Sequence, residues 1–123
     1  MFFTQGKLEI PKKGELEKSS LGTYIRLEAK PGKENDVGAF LMQGVELADL
    51  EATTPLWFAL RFGPSTFAVF DAFADEAGRL AHLDGRITKF LMAHASDLLA
   101  TPLSIEKADI MGAKISEEVR NAD

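Results

Sequence analysis

The chain has 123 residues, a net charge of −5 and no cysteine. That length suits one domain and is short for two, and 46% hydrophobic residues can fill a core. Without cysteine there is no disulfide framework, thiolate metal site or cysteine nucleophile, as suits a reducing compartment, and 14 scattered Lys and Arg under an acidic balance argue against nucleic acid as a partner.

Residues 1–21 read as a polar N-terminal extension, punctuated by Gly6, Pro11, Gly14 and Ser19-Ser20. Lys7, Lys12, Lys13 and Lys18 are interleaved with Glu9, Glu15 and Glu17, the pattern of a solvated tail, and Leu8-Glu9-Ile10 offers a short edge strand. Met1-Phe2-Phe3 gives way at once to polar residues, unlike a secretory leader. No apolar run approaches the roughly 20 residues that cross a bilayer. A cytoplasmic protein with no membrane partner is expected.

A domain over 22–114 follows, ahead of a polar tail at 115–123. Gly22 to Lys30 alternates Ile25, Leu27 and Ala29 with Tyr24, Arg26 and Glu28, the period of a half-buried strand. After Pro31-Gly32 a helix is expected over 33–50, with Val37, Phe40, Leu41 and Val45 at helical spacing and Asn35 or Asp36 in its first turn. Residues 56–62 and 66–73 are strands joined at Gly63-Pro64-Ser65, too short a link for anything but a hairpin. A second helical region starts at Asp75 as N-cap, carries Leu80, Leu83, Ile87, Phe90, Leu91 and Leu98 as its stripe, and bends at Gly85. Residues 104–114 read as the last strand. Two successive strand-helix-strand units predict an α+β, ferredoxin-like βαββαβ domain, an antiparallel four-stranded sheet with its helices on one side.

With Pro64-Ser65 as the hairpin tip, one sheet face carries Leu56, Phe58, Leu60, Phe62, Phe67, Val69 and Phe73. The other carries Trp57, Ala59, Ala68, Phe70 and Ala72, interrupted by Arg61 and Thr66. Both faces are apolar and two helices cover only one. Each large apolar side chain left in water forgoes roughly 1.5–3 kcal/mol, so a homodimer packed sheet to sheet is expected. The alternative cover is the N-terminal extension folded back over the face, and that extension is poor in large apolar groups.

Chemistry is sought first at the two histidines, His82 and His94. Their spacing makes no metal pair, and no metal ligand set is expected. His94 follows Leu91 on the apolar stripe and reads as a packing residue. His82 lies near the bend, in a helix entered from the strand that bears Asp71. Asp71 is placed among aromatics, opposite Phe58, where a carboxylate needs a donor or a raised pKa. Its donor is either a catalytic partner or a scaffold arginine, Arg26, Arg61 or Arg79. Trp57 and Arg61 share a face and offer a pocket wall with an anion anchor, or a stacked arginine at the dimer seam.

The run Asp71-Ala72-Phe73-Ala74-Asp75-Glu76-Ala77-Gly78-Arg79-Leu80-Ala81-His82-Leu83 resembles the third-strand-to-second-helix segment of the antibiotic-biosynthesis monooxygenase family of dimeric α/β barrels. There an acidic and then an aromatic residue end the strand, an Asp-Glu-Ala step opens the helix, and a histidine follows nine positions after the aromatic. Asp71, Phe73 and His82 match in kind and spacing, and the resemblance extends over about 22–114, including Lys30-Pro31-Gly32-Lys33. The aromatic is Phe73 in place of Tyr or Trp, and Arg86 and Ile87 occupy the stretch where a second histidine is common.

The resemblance implies a dimeric barrel and a pocket between sheet and helices. It also implies oxidation of a phenolic or quinol-like small molecule by molecular oxygen without a cofactor. In that reading His82 takes the phenol proton and Asp71 orients it. Trp57, Phe70 and Phe73 wall the ring, and Arg61 stabilises the developing anion. The alternatives are a non-catalytic dimer that binds aromatic molecules and, further off, haem binding through His82.

Overall fold

The computed structural model describes residues 19–116. The edge strand expected at Leu8-Glu9-Ile10, most of the N-terminal extension, and residues 117–123 lie outside the described residues.

Seven elements follow in order: β1 (Leu21–Glu28), α1 (Glu34–Ala48), β2 (Leu56–Arg61), β3 (Thr66–Phe73), α2 (Glu76–Leu83), α3 (Arg86–Leu98) and β4 (Ile105–Asp109). The strands form one antiparallel sheet in the order β2-β3-β1-β4. This is the ferredoxin-like α+β arrangement expected from the sequence.

The core lies between one sheet face and the helices, centred on Ile25, Leu27, Phe67 and Val69 with Val37, Leu41 and Leu91 against them. In α1 the buried positions Val37, Leu41, Gly44 and Ala48 recur every three or four residues. Its N-cap, Lys33, makes no side-chain cap, and Glu34 and Asp36 supply negative charge in the first turn.

Asp75 caps α2 as expected, accepting a hydrogen bond from Gly78 N at 2.9 Å. The expected bend at Gly85 is a full break between two helices. Gly85 is extended (φ −91°, ψ −177°), and its N–H bonds back to His82 O at 2.9 Å. The break resets the helical phase. Leu80, expected on the apolar stripe, is 53% exposed, while Gly78, Arg79 and His82 form the buried side of α2. Arg79 bonds Glu76 at 2.5 Å and reaches the backbone carbonyls of Gly22 and Ala108, which ties α2 to β1 and β4.

The hairpin register corrects the expected faces. Phe62 N bonds Thr66 O at 2.8 Å, and the pairs run Arg61↔Phe67, Ala59↔Val69 and Trp57↔Asp71. The loop therefore holds Gly63, Pro64 and Ser65, centred on Pro64 rather than on a Pro64-Ser65 step. Side chains alternate with period two, so this half-step in the centre of symmetry exchanges the partners of an entire strand. Phe67, Val69, Asp71 and Phe73 share the helix-covered face with Trp57, Ala59 and Arg61. Ala68, Phe70 and Ala72 share the other face with Leu56, Phe58 and Leu60.

Both faces of the hairpin remain apolar after the exchange. Among the described residues no helix lies over the second face, and Phe58, Leu60 and Phe62 are 48%, 38% and 57% exposed. The last strand is shorter than the expected 104–114 and spans five residues at the sheet edge.

Candidate active site

β3 is central in the sheet, and its third helix-facing position is Asp71, fully buried. Thr23 of β1 lies opposite on one side and Trp57 of β2 on the other. The Thr23 hydroxyl donates to Asp71 Oδ1. Above the sheet, the buried side of α2 places His82 Nε2 at 2.9 Å from Asp71 Oδ2. Oδ2 lies off the axis of that ring N–H and has no other donor among the described residues. An incompletely paired oxygen on a fully buried carboxylate is uncommon in a folded core.

The other ring nitrogen holds a residue that sequence reasoning passed over. His82 Nδ1 lies 2.6 Å from Glu51 Oε1. Glu51 follows α1, its N–H bonded to Ala48 O, and the Thr54 hydroxyl donates to the same carboxylate oxygen at 2.9 Å. A Cβ on Gly85 would stand 3.2 Å from Glu51 Oε2. Glycine at the break thus lets the chain pass close to this carboxylate. It also brings Glu51 to the N-terminal end of α3, where negative charge is favoured.

The result is a buried relay, Thr23–Asp71–His82–Glu51, drawn from β1, β3, α2 and the loop after α1. His82 is 4% exposed, Asp71 fully enclosed, and the Glu51 side chain 20% exposed, so Glu51 is the end that meets water. Burial alone would push the His82 pKa down. The hydrogen bonds to Asp71 and Glu51, and then their charges, outweigh it and hold the pKa above its ordinary 6.5. With a carboxylate at each nitrogen, the charged form of His82 is favoured more than in a free imidazole. Among the described residues no group of three or more such side chains converges as a metal ligand set.

A cavity of about 20 Å³ adjoins the relay, lined by Trp57, Val69, Asp71, His82, Ile87 and Phe90 among others. That volume holds about one water, against about 150 Å³ for a cavity that takes benzene. Trp57 reaches this wall because α1 has glycine at position 44. A Cβ there would stand 2.8 Å from the indole ring.

The other expected site residues are placed as follows. Phe73 is fully buried with its ring centroid 5.3 Å from His82, so it supports the imidazole from behind and does not line the cavity. Phe70, expected as a pocket wall, faces the uncovered side of the sheet opposite Phe58. Arg61 stands apart from the relay. It donates to the carbonyls of Gly63 and Pro64 at 2.9 Å and lies 5.0 Å from the Phe67 ring centroid, which makes it a clasp on the hairpin turn. Among the described residues no arginine pairs with Asp71: Arg26 pairs with Glu28 and Arg79 with Glu76. His94 packs as expected, edge-on to Phe90 at 4.4 Å, its Nδ1 2.9 Å from Phe90 O.

No protein-family model and no curated protein matches the chain. Solved structures do. A protein of unknown function from Nitrosomonas europaea is 53% identical, with a TM-score of 0.77 over 81% of this chain and 97% of that one. A proposed antibiotic biosynthesis monooxygenase from Bacteroides thetaiotaomicron is 19% identical, with a TM-score of 0.66 over 80% of this chain and 98% of that one. A second from Nitrosomonas europaea is 15% identical, with a TM-score of 0.67 over 74% and 98%. The chain belongs to one family with the Nitrosomonas europaea protein of unknown function, and its fold is that of the antibiotic-biosynthesis-monooxygenase-like proteins.

Proposed function

We propose that the protein is a cofactor-independent monooxygenase acting on a phenolic or quinol-like small molecule. The observation that carries this reading is the enclosed imidazole gripped at both nitrogens by carboxylates, one of them holding an oxygen without an aligned donor beside an apolar cavity. Buried titratable clusters of this kind concentrate at sites of proton transfer.

The relay assigns the roles differently from a free histidine base. Glu51 holds His82 Nδ1, so in this reading the proton acceptor is Asp71 Oδ2, the buried oxygen without an aligned donor. His82 supplies the positive charge that offsets the anion formed, and Glu51 passes the proton to solvent. Thr23 fixes the Asp71 carboxylate, and Trp57 offers a face for an aromatic ring. An acidic CH2 of a phenolic substrate loses a proton, and its carbanion adds O2 to give a peroxide anion. Protonation yields a hydroperoxide that loses water and leaves a ketone. One oxygen atom enters the product, the other leaves as water, and the substrate supplies all four electrons that reduce O2. Haem ligation through His82 has no free ring nitrogen to use.

The test is oxygen uptake by metal-stripped protein against a panel of quinols and polycyclic phenols, with wild type beside Asp71→Asn and His82→Gln. Loss of proton transfer lowers the rate by about 10²-fold or more. No uptake from any compound by folded protein that still binds them would instead assign a non-catalytic binding role. Uptake unchanged in both variants would remove the relay from the mechanism.

The same proposal includes a homodimer closed over the uncovered sheet face. Phe58, Leu60 and Phe62 stand in water there, with Phe70 and Tyr24 half-buried beside them. Their burial against a second copy recovers roughly 1.5–3 kcal/mol for each large side chain. Sedimentation should give a dimer for wild type and a monomer for Leu60→Glu. A monomeric wild type at micromolar concentration would remove the assembly. The cytoplasmic location also remains part of the proposal and rests on the sequence alone.

A further inference from the structure

The cavity beside His82 is bounded by Leu47 and Phe90, and the same two side chains line a groove on the outer side of the helices. This groove runs between the second half of α1 and the first turns of α3. Its volume is about 680 Å³, and Gln43, Glu46, Leu50, Arg86 and Lys89 complete its walls. That lies within the range of small-molecule sites, roughly 300–1,000 Å³, whereas the inner cavity lies far below it.

We propose that the groove binds a planar aromatic acid, and that Leu47 and Phe90 form the gate through which its ring reaches the inner cavity. The lining fixes the chemistry of the occupant. Leu47, Leu50 and Phe90 give an apolar floor, and Leu50 is 62% exposed, a large side chain that no described residue covers. Arg86 and Lys89 are three residues apart on α3 and therefore share one of its faces. Glu46 is the single acid of the groove, and neither cation is within salt-bridge distance of an acid among the described residues. Two cations against one anion leave a net positive wall beside an apolar floor. A ring bearing a carboxylate satisfies both, and a neutral ring only the floor.

Phe90 makes the gate more than a wall. Its ring stacks on Phe40 at 4.9 Å between centroids and meets His94 edge-on at 4.4 Å. A planar ligand can replace either contact with one of comparable worth. Phe90 and Leu47 are both half-buried, so their rotation uncovers little of the core. The inference deepens the oxygenase reading by naming what its site admits, and it rests on that reading only for the step from groove to relay.

Anisotropy titrations under argon with 3-hydroxy-2-naphthoate and 2-naphthol test the groove without turnover. The acid should bind tighter than the neutral ring by up to about tenfold at low salt, the sum of two exposed ion pairs. Arg86→Gln/Lys89→Gln should erase that preference, and Glu46→Gln should strengthen it. Equal affinity for the two probes, or an unchanged preference in the double variant, would overturn the site.

The gate is read from stopped-flow quenching of Trp57, the chain's one tryptophan. Phe90→Leu keeps the floor apolar and should speed quenching by the acid several-fold, and an unchanged rate would overturn the gate. Charge-dependent binding with no oxygen uptake from any phenol would leave the groove standing and remove the oxygenase reading. Oxygen uptake indifferent to Arg86 and Lys89 would do the reverse.

Discussion

Replacing Glu51 by Gln isolates the electrostatics of the relay, because glutamine keeps an oxygen that can accept from His82 Nδ1 and removes only the charge. The contact is 2.6 Å long, and the Glu51 side chain is 20% exposed, so solvent screens it little. A hydrogen bond to a charged group contributes about 1.5–3 kcal/mol, and one pKa unit corresponds to about 1.36 kcal/mol. Removing the charge while keeping an acceptor forfeits part of that, so Glu51→Gln should lower the His82 pKa. Asp71 remains to oppose the effect of burial.

The assay is a pH titration of the imidazole resonances by NMR. The chain has only two histidines, so His94 serves as the control within the same spectrum. Its ring faces a backbone carbonyl and the Phe90 ring and should not respond. The consequence for stability has a fixed sign. A folded-state pKa above 6.5 means that the native protein binds the proton more tightly than the unfolded chain does. The stabilisation from His82 is complete below pH 6.5 and is lost as pH rises through the folded value. Denaturant melts should show wild-type stability falling through that window, and Glu51→Gln should lose most of the slope. A His82 pKa that moves by less than a few tenths of a unit in the variant would refute the bracketed imidazolium.

Two further changes probe how the site is held. Gly44→Ala places a methyl group 2.8 Å from the Trp57 ring, so it should displace the indole, shift its emission and cost about 1–3 kcal/mol by overpacking. An unshifted spectrum at full stability would mean that α1 does not set the Trp57 wall. Asp75→Ala removes the N-cap bond to Gly78 and should destabilise by about 1 kcal/mol in a urea melt. His82 is in the same short helix, so its NMR line should also broaden if the cap holds the ring in place.

Much of the architecture was legible because it depends on periods. Alternation over Tyr24 to Ala29 and the helical spacing of Val37, Leu41 and Gly44 each point to one element type, and two strand-helix-strand units restrict the topology further. The hairpin faces were not legible. Gly63-Pro64-Ser65 allows a two-residue or a three-residue centre, and only the pair Arg61↔Phe67 decides between them. That choice put Phe70 in a pocket where it does not belong and gave Asp71 a Phe58 neighbour in place of Trp57. The stripe of the second helical region failed similarly. Counting through Gly85 as though the helix continued placed Leu80 inside and ignored Arg79.

Asp71 and His82 were found by chemical type and by the resemblance, but their link to Glu51 spans 31 residues of sequence and no periodicity reports it. One local signal was available. A carboxylate just beyond the C-terminal end of α1 sits at the negative end of that helix, where a cation would be favoured. Such an unfavourable placement persists when another group offsets it, and here two do. The His82 imidazolium and the N-terminal end of α3 both lie against the Glu51 carboxylate. The break at Gly85 is what brings α3 there, so the feature that hid the phase of α2 from the sequence is the one that completes the relay. A continuous helix through Gly85 would carry the start of α3 away from Glu51.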